Sequence, residues 1–161
     1  MNSQHSAAVQ DFYPEDFAHC YGCGSLNAHG LQIKTYVEGE ETIARFVPLA
    51  HHTAIPGFVY GGLIASLIDC HSMATAAAAA ERAAGRKIGE APAPRFVTAA
   101  LHVNYLQPTP LGPELTLRSH VQSFSPRKVI VVTELSAEGK TTATGEVIAV
   151  PLPGTMASRR W

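Results

Sequence analysis

Residues 63–85, LIASLIDCHSMATAAAAAERAAG, constrain the fold more than any other part of the chain. The segment consists mainly of good helix formers, and it predicts a helix of about 22–24 residues that begins near Gly61. Gly85 is suited to end this helix because glycine readily adopts the left-handed conformation of a C-terminal cap. Apolar residues occur all around the predicted helix, so the rest of the chain is expected to cover most of its faces.

Segments typical of β-strands lie on both sides of this helix. Residues 31–38 and 42–49 flank the turn residue Gly39 and predict a hairpin. Four more strands are predicted after the helix, separated by turn signals at Pro108–Pro113, Ser125–Pro126 and Glu138–Gly139. The order β-β-α-β-β-β-β predicts an α+β domain in which an antiparallel sheet wraps around one long central helix.

The first strand after the helix shows a regular alternation. Thr98, His102 and Asn104 share one parity, and the residues between them are mostly apolar. In a regular strand, residues of one parity point to the same face of the sheet. We therefore expect a dry face formed by Val97, Ala99, Leu101, Val103 and Tyr105.

The length of 161 residues is that of one domain. Hydrophobic residues make up 46% of the chain and charged residues 16%, a balance that favours a folded core over disorder. We expect the domain to span residues 18–152. Residues 1–17 are then an N-terminal extension and residues 153–161 a C-terminal tail.

Charge and cysteine content argue against several classes of protein. The formal net charge is -1, so no basic field attracts nucleic acid or an anionic membrane surface. Three cysteines are too few for a secreted scaffold held by disulfides. The first residues have neither the basic start nor the apolar run of a secretory signal. We expect a cytoplasmic protein with no nucleic-acid or membrane partner.

Asp69 is the one carboxylate between residues 59 and 80. An ionised carboxylate among apolar helix residues is costly unless it has a partner or faces a cavity. A functional carboxylate explains its presence. The alternative is an aspartate that only hydrogen-bonds the neighbouring backbone or His71.

The sequence Tyr60-Gly61-Gly62 lies at the predicted start of the helix. The N–H groups of a first helical turn lack intrahelical acceptors and lie at the positive end of the helix dipole, which suits a carbonyl oxygen or oxyanion. Alternatively, the glycines only permit a tight turn. Gly61 and Asp69 are about 12 Å apart along a helix axis. If both act on one substrate, the site must be shared between two subunits.

Three motifs follow one another in the chain, namely C-x2-C-G-x2-N-x2-G-L at residues 20–31, P-G-x3-G-G-x6-D at 56–69 and V-T-A-x-L-x-V-N-Y-L-x-P at 97–108. Together they resemble the hotdog-fold acyl-CoA thioesterases of the PaaI-like, or THEM4-like, family. The resemblance implies a sheet wrapped around one helix and a homodimer, or a dimer of dimers, with the sheets side by side. It implies no cofactor besides the coenzyme A of the substrate.

The resemblance also implies roles for individual residues. Asp69 would activate or orient the attacking water, the Gly61 N–H would polarise the thioester carbonyl, and Thr98 would help to hold the water or the carboxylate. The family commonly has histidine where this chain has Tyr60. We expect Tyr60 and Gly62 to contact the substrate, and the change from histidine to affect substrate choice or rate.

Two other places are candidates for substrate contact. Similar enzymes often have an Asn or Gln in the loop before the helix, whereas this loop offers His51, His52 and Thr53, of which we select His52. Arg127 and Lys128 follow a Ser-Pro turn, and basic residues near this place contact coenzyme A phosphates in similar proteins. The alternative for both places is ordinary solvent exposure of a loop or strand end.

Cys20 and Cys23 form a C-x2-C motif that raises the question of a metal. A structural zinc site normally has four ligands, and the sequence has no second cysteine pair, because Cys70 lies inside the predicted helix. Redox use of the pair lacks the expected βαβ setting. We predict no metal site.

These observations predict a thioesterase that hydrolyses acyl-CoA or aryl-acyl-CoA thioesters to the free acid and coenzyme A. The alternative is a non-catalytic hotdog protein that binds acyl-CoA or another small ligand. A dehydratase is less favoured, because Tyr60 stands where that chemistry would require a histidine.

Overall fold

The computed structural model describes residues 7–159. Residues 1–6 of the predicted N-terminal extension and residues 160–161 of the tail therefore lie outside the described part. The strands are β1 (Thr35–Glu38), β2 (Glu41–Phe46), β3 (Phe96–Tyr105), β4 (Leu115–Ser125), β5 (Lys128–Ala137) and β6 (Lys140–Pro151). The helices are α1 (Gly61–Ala83) and the short α2 (Gly154–Ala157), and 3-10 turns occupy Val9–Phe12, Glu15–Phe17 and Ala50–His52. The predicted order β-β-α-β-β-β-β is confirmed.

The six strands form one antiparallel sheet in the order β1-β2-β4-β5-β6-β3. Helix α1 contacts every strand of this sheet. The strand residues that face it are mainly aliphatic and fully buried, and they include Leu115, Leu117, Val129, Val131, Leu135, Ala143, Val147 and Ala149. The sheet therefore wraps around the helix, which is the predicted hotdog arrangement.

The central helix has the predicted bounds. It runs for 23 residues from Gly61 to Ala83, and Gly85 follows with a φ of +72° in the left-handed region. The helix is long and apolar enough to cross a membrane, but most of it is buried inside this chain. Its apolar character is therefore explained by its position in the core of the domain.

The hairpin before the helix is shorter than predicted. Residues 31–34 precede β1 because the N–H groups of Leu31 and Ile33 bond to the carbonyls of Tyr21 and Gly22 instead of to a neighbouring strand. Gln32 between them has a φ of +52°, which interrupts the extended backbone. The loop that carries the C-x2-C motif is therefore attached to the segment leading into β1.

The dry face predicted for β3 is wrong, because the parity is reversed in the first half of the strand and because Leu101 and Tyr105 in the second half are exposed. The register with β6 shifts between Thr98 and Ala100, so Ala99 is an extra residue in a β-bulge. Before the bulge, Phe96 is buried and the Thr98 side chain reaches the helix. After it the parity changes, and Tyr105 bonds to the first residue of α1. Before the bulge it is therefore Thr98, and not Val97 or Ala99, that points towards the helix.

Close contact between the sheet and the helix depends on Gly145 in β6. A Cβ atom at this position would lie 2.4 Å from the Cγ2 atom of Ile68, whose side chain is fully buried. We expect Gly145→Ala to lower the free energy of unfolding by about 1–3 kcal/mol, because an overpacked core must shift. Gly154→Ala is the control, since no atom lies within 4 Å of its new Cβ. Equal urea midpoints for the two variants would contradict this expectation.

Candidate active site

Asp69 lies in the middle of α1 and accepts a hydrogen bond from the Thr98 hydroxyl through its Oδ1 atom. Burial raises the pKa of Asp69 above its usual range, the bond from Thr98 opposes the increase, and the charge of Cys20 adds to it. A carboxylate with a raised pKa is a stronger base than an ordinary aspartate, which suits proton transfer from water. The structure thus brings two of the predicted site residues together.

The alternative partner for Asp69, His71, is engaged elsewhere. Its ring is completely buried and lies 2.9 Å from the Thr35 hydroxyl and 3.4 Å from the Thr42 hydroxyl. Burial lowers the pKa of His71 to about 3, so the ring is neutral near pH 7. Asp69 is therefore paired with Thr98 and not with the neighbouring histidine.

The first turn of α1 presents backbone donors beside two tyrosines. Tyr60 has extended backbone angles and gives the helix no side-chain cap. Among residues 7–159, the N–H groups of Gly61 and Gly62 have no acceptor. The Tyr60 ring lies so close to Gly62 that a Cβ there would be 2.4 Å from it. The Tyr105 hydroxyl donates to the Gly61 carbonyl over 2.7 Å.

Tyr105 was not among the predicted site residues. It was expected on a dry sheet face, but its ring lies against Gly61 and more than half of the residue is exposed, 54%. After the bulge the odd-numbered residues of β3 face the helix, so the predicted parity already placed Tyr105 on this side of the sheet. The contact itself was not predictable, because alternation in the sequence does not show which residue of another element a side chain reaches.

Two cavities adjoin this end of the helix. Gly61 borders an apolar cavity of about 370 Å³ together with Ile55, Phe58 and Tyr105. A second cavity, of about 360 Å³, is lined by the predicted residues Tyr60, Gly62 and His52, with Tyr21, Leu31, His51, Thr53, Leu63 and Ser66. The structure therefore brings three of the predicted substrate contacts together beside the helix start.

His52 has a defined hydrogen-bonding state. Its Nδ1 atom accepts the Leu49 N–H over 2.9 Å. Partial burial, followed by the charge of His51, lowers the pKa of His52. A neutral ring that accepts through Nδ1 carries its proton on Nε2, and it can therefore donate one hydrogen bond from that atom.

Asp69 and Gly61 are separated within one chain. Eight residues of α1 span about 12 Å, and Asp69 does not border either cavity at the helix start. Both places lie next to β3, because Thr98 of that strand bonds to Asp69 and Tyr105 of the same strand bonds to Gly61. Strand β3 is an edge of the sheet, and several of its apolar residues, such as Leu101, are exposed.

Arg127 and Lys128 are exposed at the turn between β4 and β5. The next residue, Val129, is paired with Ala149, and Ala149 is paired with Thr98. Neighbouring strands are about 4.8 Å apart, so the backbone of Val129 lies about 10 Å from that of Thr98. The basic pair is therefore at the same end of the sheet as the Asp69 and Thr98 pair.

The three cysteines lie together next to Asp69. This cluster was not predicted from the sequence. Their sulfur atoms all lie within 4.8 Å of one another, and the cysteines are not joined by disulfides. Hydrogen bonds from the Cys23 and Cys70 thiols lower the pKa of Cys20, and the bond to Cys20 raises that of Cys23 to about 11. The arrangement favours a thiolate at Cys20.

Comparison with solved structures finds close similarity to a thioesterase superfamily protein from Shewanella loihica PV-4. It is 48% identical to this chain, the match covers 85% of this chain and 96% of the other, and the TM-score is 0.67. The PaaI protein from the phenylacetic acid degradation operon of E. coli is 17% identical over 77% of this chain and 82% of its own, with a TM-score of 0.62. The acetyl-CoA-bound protein smu.793 of Streptococcus mutans UA159 is 16% identical over 74% and 88%, with a TM-score of 0.59.

The similarities to the E. coli and Streptococcus mutans proteins show the hotdog fold. The 48% identity to the Shewanella loihica protein shows that the two chains belong to one family. No curated protein shows significant similarity to the chain. The family profile described as "Thioesterase superfamily" matches residues 56–144, a segment that contains the glycine pair, Asp69 and Thr98. Taken with the 48% identity, this match shows that the chain belongs to the thioesterase superfamily.

Proposed function

We propose that the protein hydrolyses acyl-CoA thioesters to the free acid and coenzyme A. The observation that carries the proposal is the half-buried Asp69 of α1, whose carboxylate accepts a hydrogen bond from Thr98 of β3. The first turn of the same helix presents two N–H donors. These are the two groups that acyl transfer to water requires, a base and a donor for the developing oxyanion.

In the proposed reaction, the free Oδ2 atom of Asp69 accepts a proton from water as the water oxygen bonds to the thioester carbonyl carbon. The Thr98 hydroxyl holds Oδ1 and fixes the direction of the carboxylate. The Gly61 N–H donates to the carbonyl oxygen as it becomes negative. When the C–S bond breaks, the proton held by Asp69 passes to the departing thiolate, which gives a carboxylic acid and the free thiol.

Because Asp69 and Gly61 are about 12 Å apart along one helix, we propose that two subunits form each site. In this proposal, the Asp69 of one protomer acts with the Gly61 of its partner. Strand β3 carries Thr98 and Tyr105 and is an exposed edge with apolar side chains, so it suits an isologous contact between two copies. A homodimer, or a dimer of dimers, would contain one such site for each chain.

Complementation between two inactive variants tests the shared site. One chain carries Asp69→Asn, the other carries Gly61→Pro, and the two are co-expressed with different tags so that the mixed dimer can be purified. The mixed dimer has one intact site and one doubly altered site, so we expect ~50% of wild-type activity from two essentially inactive parents. A wild-type dimer with both tags is the control. A mixed dimer as inactive as its parents would contradict sharing between subunits.

The proposed substrate class rests on the exposed basic turn and on a structural neighbour. Arg127 and Lys128 lie at the Asp69 end of the sheet and could pair with phosphates of coenzyme A. The neighbour from Streptococcus mutans was solved with acetyl-CoA. We propose an acyl-CoA or aryl-acyl-CoA as substrate, no separate cofactor for the hydrolysis, and a cytoplasmic location in which the thiols remain reduced.

Release of free thiol tests the activity itself. Purified protein is offered short-chain, long-chain and aromatic CoA thioesters, and thiol release is measured together with binding. Hydrolysis of at least one class is expected. Saturable binding without thiol release from any thioester would contradict hydrolysis and would support the alternative, a non-catalytic acyl-CoA-binding protein.

A further inference from the structure

The cysteine cluster has the spacing of a metal site. The sulfur atoms of Cys20 and Cys70 are 3.7 Å apart, and that of Cys23 lies within 4.8 Å of both. Zinc–sulfur bonds of about 2.3 Å at tetrahedral angles place neighbouring sulfurs about 3.8 Å apart. The separation between Cys20 and Cys70 is close to this value, and the other two are no longer than 4.8 Å.

The loop around the C-x2-C motif is built to bring these sulfurs together. The Gly24 N–H bonds to the Cys20 carbonyl over 2.7 Å, which closes a tight turn. The N–H groups of Gly22 and Cys23 donate to the Cys20 sulfur. A Cβ at Gly22 would lie only 2.2 Å from the Cys70 sulfur. Glycine at this position is therefore what allows the loop to approach α1 so closely.

The charge around the cluster favours bound thiolates. The Arg95 guanidinium lies near Cys23 and Cys20, and it stacks 4.1 Å above the centre of the Tyr13 ring. Its Nη1 atom is buried and has no hydrogen-bond partner among residues 7–159. A buried donor of a partly buried guanidinium favours an anionic partner nearby. Three thiolates around a divalent ion carry a net charge of -1, which the Arg95 guanidinium would partly offset.

We propose that Cys20, Cys23 and Cys70 bind one Zn²⁺ ion as three thiolate ligands. Thiolates prefer soft or borderline d10 ions over magnesium or calcium, and zinc accepts three protein ligands with a fourth position open. Cys20 and Arg95 both border a cavity of about 430 Å³, so a space that admits water or a small ligand adjoins the cluster at Cys20. The site does not depend on the proposed hydrolysis.

A bound ion would connect two parts of the chain that the sequence separates by nearly fifty residues. Cys20 and Cys23 belong to the loop that precedes β1, and Cys70 follows Asp69 directly in α1. Zinc would therefore stabilise the loop against the helical turn that carries the candidate base. The effect of the ion on the stability of this loop is measurable without any substrate.

Cobalt titration tests the site directly. Reduced, chelator-treated full-length protein is titrated anaerobically with Co²⁺, and Zn²⁺ is then added. We expect one cobalt per chain, sulfur-to-cobalt charge transfer with the visible bands of tetrahedral cobalt, and displacement of cobalt by zinc. Bound zinc should also raise the melting temperature and protect three thiols from a thiol reagent.

Variants identify the ligands. Cys23→Ser and Cys70→Ala should each weaken zinc binding by more than about 100-fold, beyond the 10–100-fold effect of an outer-shell change. His29→Ala, in the same loop but outside the cluster, should bind like wild type. Unchanged binding by both cysteine variants would overturn the proposal. So would wild-type protein that gains no tetrahedral cobalt spectrum, or that forms a disulfide within the cluster under reducing conditions.

Discussion

Replacing Asp69 with asparagine is expected to lower kcat for CoA-thioester hydrolysis by about 10²–10⁴-fold, the range that a general base contributes. The amide has nearly the same shape, and its oxygen can still accept the Thr98 hydroxyl. What it loses is the ability to take a proton from water. KM should change little, because the carboxylate acts on the water and not on the bound coenzyme.

The matched control for this change is Glu134→Gln, which removes an exposed carboxylate on β5. It makes the same charge change without touching the site, so its kcat should equal that of wild type. Both variants should elute as the same oligomer and unfold in one transition. Asp69→Ala is expected to lose the same activity. Undiminished turnover by Asp69→Asn would remove Asp69 from the mechanism.

Replacing Gly61 with proline is expected to lower kcat by about 10²–10³-fold, the effect of losing one oxyanion donor. Proline lacks the N–H group but is well tolerated at the first position of a helix, where that N–H has no intrahelical acceptor. Tyr60 before it already has the extended backbone, φ -61° and ψ 129°, that a residue preceding proline prefers. The substitution therefore removes the donor with little cost to the helix.

Gly61→Ala separates the loss of the donor from a change of shape. Alanine keeps the N–H, and its Cβ would lie 3.4 Å from the Tyr105 ring, an ordinary contact distance. We expect its kcat to stay within about tenfold of wild type, well above that of the proline variant. If alanine and proline reduced the rate equally while both proteins melted like wild type, the donor role of this N–H would be wrong.

The parts of the fold that were predictable are those where strong local preferences agree with burial. Apolar helix formers run from residue 63 to 84, and glycine lies at both ends, so the bounds of α1 followed from the sequence. The four strands after it are separated by clear turn residues. The bulge at Ala99 had no such signal, because β3 is an edge strand whose exposed residues tolerate either parity.

The candidate site was predictable where its residues are unusual for their surroundings. Asp69 stands out in an apolar helix, and the glycine pair stands out at a helix start. Contacts between distant segments were not predictable in this way. Cys70 resembles any small core residue in the sequence, and only the folded loop reveals that it meets Cys20 and Cys23.

The position of β3 in the sheet has a consequence for biosynthesis. Although β3 follows α1 directly in the chain, its pairing partner among residues 7–159 is β6, the last strand of the described sheet. Domains acquire stable long-range strand pairs only once both segments have left the ribosome. Thr98 can therefore reach Asp69 in a fixed position only after Lys140–Pro151 has been translated, so the hydrogen bond between the two residues must form later than the helix that carries Asp69.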